Sequence, residues 1–396
     1  MAVNTDPRKI DEILTRGVHE IFTKEDLRER LLSGKQLHLK LGTDVTGPRL
    51  HLGHAVVHRK IRDFQELGHK VTLVIGDYTT LVGDHSDKVD MRAEITPEEI
   101  KKNEETYKEQ FFKTVKKEQT EIKHNSDWLA DLQLLDVINL TKQFTIAQML
   151  DRETFKLRYE QNKPIGLDEF LYPLMQGYDS VALKCDVEFG GTDQTFNLLA
   201  GRKLMEVFDQ KPQCAFVMRL LTGADGRPMG KSLKNFIPLT DNANDMYGKV
   251  MAVVDEVIFE YFELVTRVPM EEISKMQAAV ETGENPMKFK KRLAREIVTF
   301  YHSKEAAQKA EEFFESTVQG EELPEEMPEI EVEEDVALYV NASKVAPKMS
   351  KSQVRRIIKQ GGFEVNGEKM TDPLAEVTLK SGDVLKLGKR RYGRVK

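Results

Sequence analysis

At 396 residues, with 32% charged and 40% hydrophobic side chains and a formal net charge of −7, the chain is long enough for two or three domains and a large core. No run of eighteen apolar residues would cross a membrane, the polar start MAVNTDPRK has no secretion-signal core, and two cysteines, Cys185 and Cys214, make neither a disulfide framework nor a metal cluster, so a soluble cytoplasmic protein is expected. The negative total hides an uneven distribution: residues 336–396 hold fourteen Lys/Arg against five Asp/Glu, and a polyanion should prefer that end.

Residues 6–33 read as short helices leading into a first strand. Leu37, Leu39 and Leu41 then alternate, Gly42, Gly47 and Pro48 break the pattern, and apolar spacing at helical period resumes through Ala55, Val56, Ile61, Phe64 and Leu67. This is strand, turn, helix. The helix opens on His51-Leu52-Gly53-His54, which puts two imidazoles on one face of a helix N-terminus, where unpaired N–H groups favour a phosphate. Gly53 keeps the space between them clear for a flat base. Two surface histidines or half of a metal site would show the same spacing, and neither GxGxxG nor GxxxxGK[ST] is present.

A short buried strand over residues 71–75 ends in Gly76-Asp77, and Gly83-Asp84-His85-Ser86 makes a second turn at the sheet edge where ligands of open α/β sheets collect. Thr96 as N-cap, Pro97 at the first helical position and Glu99 placed for a capping box start a long polar helix. Residues 118–165 read as a connective insertion. In residues 167–202, Tyr172, Gln176 and Asp179 recur at spacings of four and three, so one helical face carries a phenol, an amide and a carboxylate. Gly190-Gly191-Thr192-Asp193-Gln194 then turns into another helix. A tyrosine–aspartate network serving only the fold would look the same.

These segments carry a resemblance. HLGH after the Gly42-x-Asp44-x-Thr46 turn is similar to the HIGH signature of class I aminoacyl-tRNA synthetases, and YPLMQGYDSV with GGTDQ resembles the bacterial tyrosyl-tRNA synthetase family over essentially the whole chain. The resemblance implies a Rossmann-like α/β catalytic domain over residues 1–239, a helical anticodon-side domain over 240–320, an acidic linker over 321–335 and a small α+β S4-like RNA-binding domain over 336–396. It also implies a homodimer that activates L-tyrosine with ATP and transfers it to tRNA(Tyr), with Mg2+ shared mainly with ATP. Asp179 would accept the substrate phenol hydroxyl, Tyr172, Gln176 and Asp84 would hold the ammonium, and Gln194 would lie near the carboxylate. Thr46, His51, His54 and Lys231 would donate to phosphate. The ATP side would take Gly42, Asp44, Gly53, Met229 and Ser232, with Gly191 and Asp193 at the ribose and Lys88 and Arg92 near pyrophosphate.

Two departures stand out. Lys40 occupies the position where the common bacterial branch has a tyrosine that contacts the phenol, which shifts hydroxyl recognition towards Asp179. The mobile KMSKS loop corresponds to residues 225–232, DGRPMGKS, where Pro228 replaces the first lysine and Lys231 matches the second. A literal KMSKS at residues 348–352 lies more than a hundred residues later and is read as coincidence. It precedes a basic helix, with Arg355, Arg356 and Lys359 as RNA phosphate contacts, and an Asn366-Gly367 hairpin turn. A tryptophan-activating relative and a synthetase-like RNA-binding protein without catalysis are the competing functions.

Overall fold

The structure is a computed structural model, and it describes residues 3–83, 95–230, 233–316, 327–333, 336–347, 349–388 and 391–396. The chain divides into two compact units, residues 1–304 and 305–396.

The first unit is built on a six-stranded sheet: β1 (Val18–Phe22), β2 (His38–Thr43), β3 (Lys70–Ile75), β4 (Thr120–His124), β5 (Val187–Gly191) and β6 (Cys214–Met218), in the order β1-β6-β5-β2-β3-β4. All neighbours pair in parallel except β1, which joins β6 antiparallel at the edge. Parallel strands buried on both faces read as continuous apolar runs, as in β3 and β6. From β2 the chain winds outward through β3 and β4, and after β5 it winds the other way through β6. The β2/β5 junction is therefore a topological switch point, whose carboxyl-end crevice is where such sheets bind ligands.

The helix Leu52–Glu66 covers the sheet because its apolar positions face inward. Phe64 sits edge-on to Phe189 at 5.3 Å and to Phe216 at 5.7 Å and is fully buried; truncating such a ring to alanine costs about 3–5 kcal/mol. On the other side, the helices Tyr172–Leu183 and Thr195–Val207 pack closely at Gly177, where an added Cβ would stand 2.9 Å from Leu204 and 3.2 Å from the Gly201 nitrogen.

Three expectations change in the first unit. Residues 6–33 are not helical throughout, since Gly17, at φ +66°, turns the chain into β1 between the helices Pro7–Ile13 and Lys24–Leu32. The insertion does not begin at 118: Thr120–His124 is β4, in register with β3, and the short helices follow it. Of the expected helical domain, residues 240–304 lie in the first unit, where Thr222 donates its backbone N–H and its hydroxyl to Glu260. The capping box at Thr96 forms, with Glu99 N–H donating to Thr96 Oγ1 at 3.3 Å and Thr96 N–H to Glu99 Oε2 at 3.0 Å.

The second unit holds a five-stranded sheet, β7 (Glu329–Ile330), β8 (Phe363–Val365), β9 (Glu368–Met370), β10 (Val384–Leu387) and β11 (Arg391–Val395), in the order β7-β11-β10-β8-β9. The helices Leu338–Lys344 and Lys351–Lys359 close its core through Leu338, Val354, Ile358, Phe363 and Leu385. Asn366 and Gly367 both take positive φ, 50° and 83°, the mirror-image turn that matches strand twist in the β8–β9 hairpin. Glu329–Ile330 lies inside the expected linker but pairs with β11, because Ile330 alternates with glutamates and buries one face.

Candidate active site

Two turns leave the carboxyl ends of β2 and β5. After β2, His51 is the N-cap of the helix Leu52–Glu66: its Nδ1 accepts from Gly53 N–H at 3.2 Å, and its own N–H donates to His54 Nδ1 at 3.2 Å. An imidazole that accepts at Nδ1 carries its proton at Nε2, so the capping box sets the tautomer of both rings and makes Nε2 the donor of each. The ring centroids are 4.0 Å apart. A Cβ at Gly53 would stand 3.0 Å from the His51 ring and 3.0 Å from Met229 Sδ, so only glycine lets the three meet. Leu52 N–H donates to Ile237 O at 3.0 Å and Leu239 N–H to Leu50 O at 3.0 Å, which ties this turn to the chain beyond the loop at 225–232.

That loop is closed by Asn235. Its amide donates to Asp225 at 2.8 Å and to Pro228 O at 3.1 Å, and its oxygen accepts from Gly230 N–H at 2.9 Å. Met229 thus lies beside the histidine turn, while Lys231 and Ser232 are outside the described residues, as are Asp84, Lys88 and Arg92. Thr46 is exposed, and a Cβ on Gly42 would meet nothing within 4 Å, leaving room above the end of β2.

The helix Tyr172–Leu183 brings its polar face to the same crevice. Tyr172 donates its hydroxyl to Asp44 Oδ2 at 3.1 Å, and Thr79 donates to Asp44 Oδ1 at 2.9 Å, so Asp44 links the β2 turn to this helix. Asp179 is 2% exposed and accepts from Trp128 Nε1–H at 2.8 Å. Burial pushes its carboxyl up to about 7, against the opposing pull of Lys40 and the Trp128 N–H, while Glu188 adds to the rise. After β5, Gln194 donates to Asp193 at 2.9 Å and accepts from Asn197 at 2.9 Å; Asp193 is exposed.

Lys40 and Glu188 are register partners on β2 and β5, both fully buried, with Nζ 2.9 Å from Oε1. Burial works against the Lys40 charge, but Glu188 and Asp179 outweigh it and hold its pKa above the ordinary lysine value. All three ammonium protons are used, on Glu188, on Ser180 Oγ at 2.8 Å and on Gln176 O at 2.9 Å. Lys40 therefore does not replace the absent tyrosine as a donor to a phenol. Reading the sequence passed over Glu188, Trp128, Asn125, whose amide donates to Thr79 at 3.0 Å, and Ser180. The available signal was a lysine and a glutamate inside two apolar strand runs.

In the second unit the literal KMSKS supplies Ser350 as N-cap of the helix Lys351–Lys359, its hydroxyl accepting from Gln353 N–H at 3.3 Å; Lys348 is outside the described residues. Arg355, Arg356 and Lys359 are exposed on that helix, with the Arg355 guanidinium 3.8 Å above the Tyr339 ring.

The family profile of tRNA synthetases class I (W and Y) matches residues 32–319. A tyrosine–tRNA ligase of Dehalococcoides mccartyi is 46% identical over 99% of this chain and 100% of its own, and one of Moorella thermoacetica is 48% identical over 97% and 94%. Among solved structures, a C-terminally truncated mitochondrial tyrosyl-tRNA synthetase of Aspergillus nidulans has a TM-score of 0.63 at 22% identity, covering 78% of this chain and 92% of that one. The tyrosyl-tRNA synthetase of Archaeoglobus fulgidus complexed with L-tyrosine has a TM-score of 0.62 at 19% identity, covering 77% and 100%. At these identities the structures speak for the fold, and the sequence relatives for the family. Matched along nearly its whole length, through the histidine turn, the Tyr172 helix and the GGTDQ turn, the chain belongs to the class I tRNA synthetases (W and Y), among the bacterial tyrosine–tRNA ligases.

Proposed function

We propose that the β2/β5 crevice activates tyrosine with ATP and that the protein then transfers the tyrosyl group to tRNA(Tyr). The observation that carries this reading is the pairing, across one switch point, of two Nε2 donors at a helix N-terminus with a buried carboxylate at the floor of a polar helix face. The first step needs no enzyme nucleophile. Tyrosine's own carboxylate is ionised at neutral pH and attacks the α-phosphate of ATP in line, while magnesium enters with the nucleotide as part of the substrate. The protein's work is orientation and stabilisation of the charge that moves onto pyrophosphate.

In this reading Thr46, His51, His54 and Lys231 donate to the phosphates, with Lys88 and Arg92 at the departing pyrophosphate. Gly42, Asp44, Gly53, Gly191, Asp193, Met229 and Ser232 surround the rest of ATP. Asp179 accepts the phenol hydroxyl, Tyr172, Gln176 and Asp84 take the ammonium, and Gln194 lies by the carboxylate. Arg355, Arg356 and Lys359 meet tRNA phosphates, which suits their exposure and the basic balance of residues 336–396. A homodimer is supported by the apolar side chains left exposed after β4: Leu134 at 76%, Ile146 at 72% and Leu167 at 82%. No helix among the described residues is long and apolar enough to cross a membrane, and the cytoplasm is the compartment we propose. ATP–pyrophosphate exchange with each amino acid tests the central claim: tyrosine alone should support exchange, and activity with tryptophan, or with none, would refute it.

A further inference from the structure

Glu188 lies too deep to touch a substrate, yet it touches a residue that faces one. Its Oε1 receives the Lys40 ammonium at 2.9 Å and the Gln176 Nε2–H at 3.2 Å; its Oε2 receives the Ser180 hydroxyl at 3.1 Å and the Gln213 amide. A carboxylate only accepts, so the end of the Gln176 amide turned towards it must be the NH2 end. The other end, the carbonyl oxygen, is then turned away from Glu188. An ammonium group needs an acceptor, and a freely rotating glutamine would offer it NH2 as readily as oxygen.

We propose that Glu188, locked by Lys40, is a positioning residue that sets the Gln176 amide so that its carbonyl oxygen meets the ammonium of the amino acid. The inference rests on the reading that Gln176 faces that ammonium. Lys40 contributes twice: it holds Glu188 in place from the register-paired position on β2, and it binds the Gln176 backbone carbonyl, fixing the helix Tyr172–Leu183 over the sheet. Gly201 leaves room for the cluster, since a Cβ there would lie 2.8 Å from Gln213 Nε2 and 3.2 Å from Glu188 Oε2.

The test is the ratio of two affinities, for tyrosine and for desaminotyrosine, in which hydrogen replaces the ammonium group. Lys40→Met/Glu188→Leu removes both charges together, an exchange that buried pairs commonly tolerate, whereas either single change strands a buried charge. The double variant should lose on the order of tenfold of the preference for tyrosine, the scale of one hydrogen bond to a charged group. A general loosening of the pocket would weaken both ligands alike; an unchanged ratio in the folded variant therefore overturns the proposal. Gln176→Ala separates the two levels of the argument. If it too leaves the ratio unchanged, Gln176 does not face the ammonium and the underlying reading fails; if it lowers the ratio and the double variant does not, only the positioning role fails. Should the double variant not fold, the unaltered protein decides. With 15N-labelled glutamine, and the Gln176 signal identified by its loss in Gln176→Ala, one Nε2 proton should stay protected from solvent exchange with tyrosine bound, and rapid exchange of both would overturn the proposal.

Discussion

With Asp179 accepting the phenol hydroxyl as proposed, amino-acid selection should depend on pH in a direction that can be worked out. Its carboxyl, raised by burial to about 7, is faced by Lys40 from β2, Glu188 from β5, and Trp128 and Asn125 from the segment after β4. Lys40 is held above its ordinary value and stays charged between pH 6 and 8. In that range the ionised fraction of Asp179 rises from about 0.1 to about 0.9. A phenol hydroxyl donates to the ionised form, so tyrosine affinity should rise about ninefold from pH 6 to pH 8, in proportion to the competent fraction. Phenylalanine would leave the same buried carboxylate with the Trp128 N–H but without the phenol's donor. It favours the protonated form, and its affinity should stay level or fall by up to a similar factor. The tyrosine-to-phenylalanine ratio is thus expected to grow between about tenfold and about a hundredfold over those two pH units. Calorimetric titration of both amino acids at pH 6, 7 and 8 measures it, and histidines on the ATP side cancel in the ratio. Asp179→Asn should flatten the curve. A ratio that is level in the unaltered protein, or that falls with rising pH, would refute the reasoning.

Three further outcomes are expected. Lys231→Ala should slow pyrophosphate exchange by about 10²–10³, the scale of one lost transition-state donor, whereas Lys351→Ala, at an exposed helix start in the second unit, should leave it unchanged; the reverse result would reassign the loop. Replacing Arg355, Arg356 and Lys359 together by alanine should weaken tRNA charging but not adenylate formation, and should lower the slope of log affinity against log salt by about two to three, as three lost phosphate contacts require. Arg59 is 6% exposed, with its guanidinium 4.5 Å above the Phe300 ring and Nη1 without a hydrogen-bond partner among the described residues. Burial lowers its pKa to about 10, with Tyr301 and Asp63 offsetting that only in part, so Arg59→Met, which removes a buried charge that is incompletely compensated, should melt at an equal or higher temperature in a calorimetric scan.

Local rules were enough for much of this protein. The histidine turn, the capping box at Thr96, the hairpin at Asn366-Gly367 and the polar face of Tyr172, Gln176 and Asp179 each depend on residues within a few positions of one another, where period, caps and turn chemistry act directly. The family likeness added roles that spacing alone left open. What only the tertiary structure decided is what chain-distant residues do to each other. Strand Val18–Phe22 has no local signature because its partner lies about two hundred residues away, and the short mixed run of β4 is a strand only when β3 is beside it. Glu188 meets Lys40 across 148 positions of sequence, and Trp128 meets Asp179 across 51. A buried charge in an apolar strand is legible as an anomaly, but its partner is chosen by sheet order, and sheet order comes from packing the whole core. That is why the polar face of the Tyr172 helix was visible in the sequence, while the buried pair that meets its amide and the indole that meets its carboxylate were not.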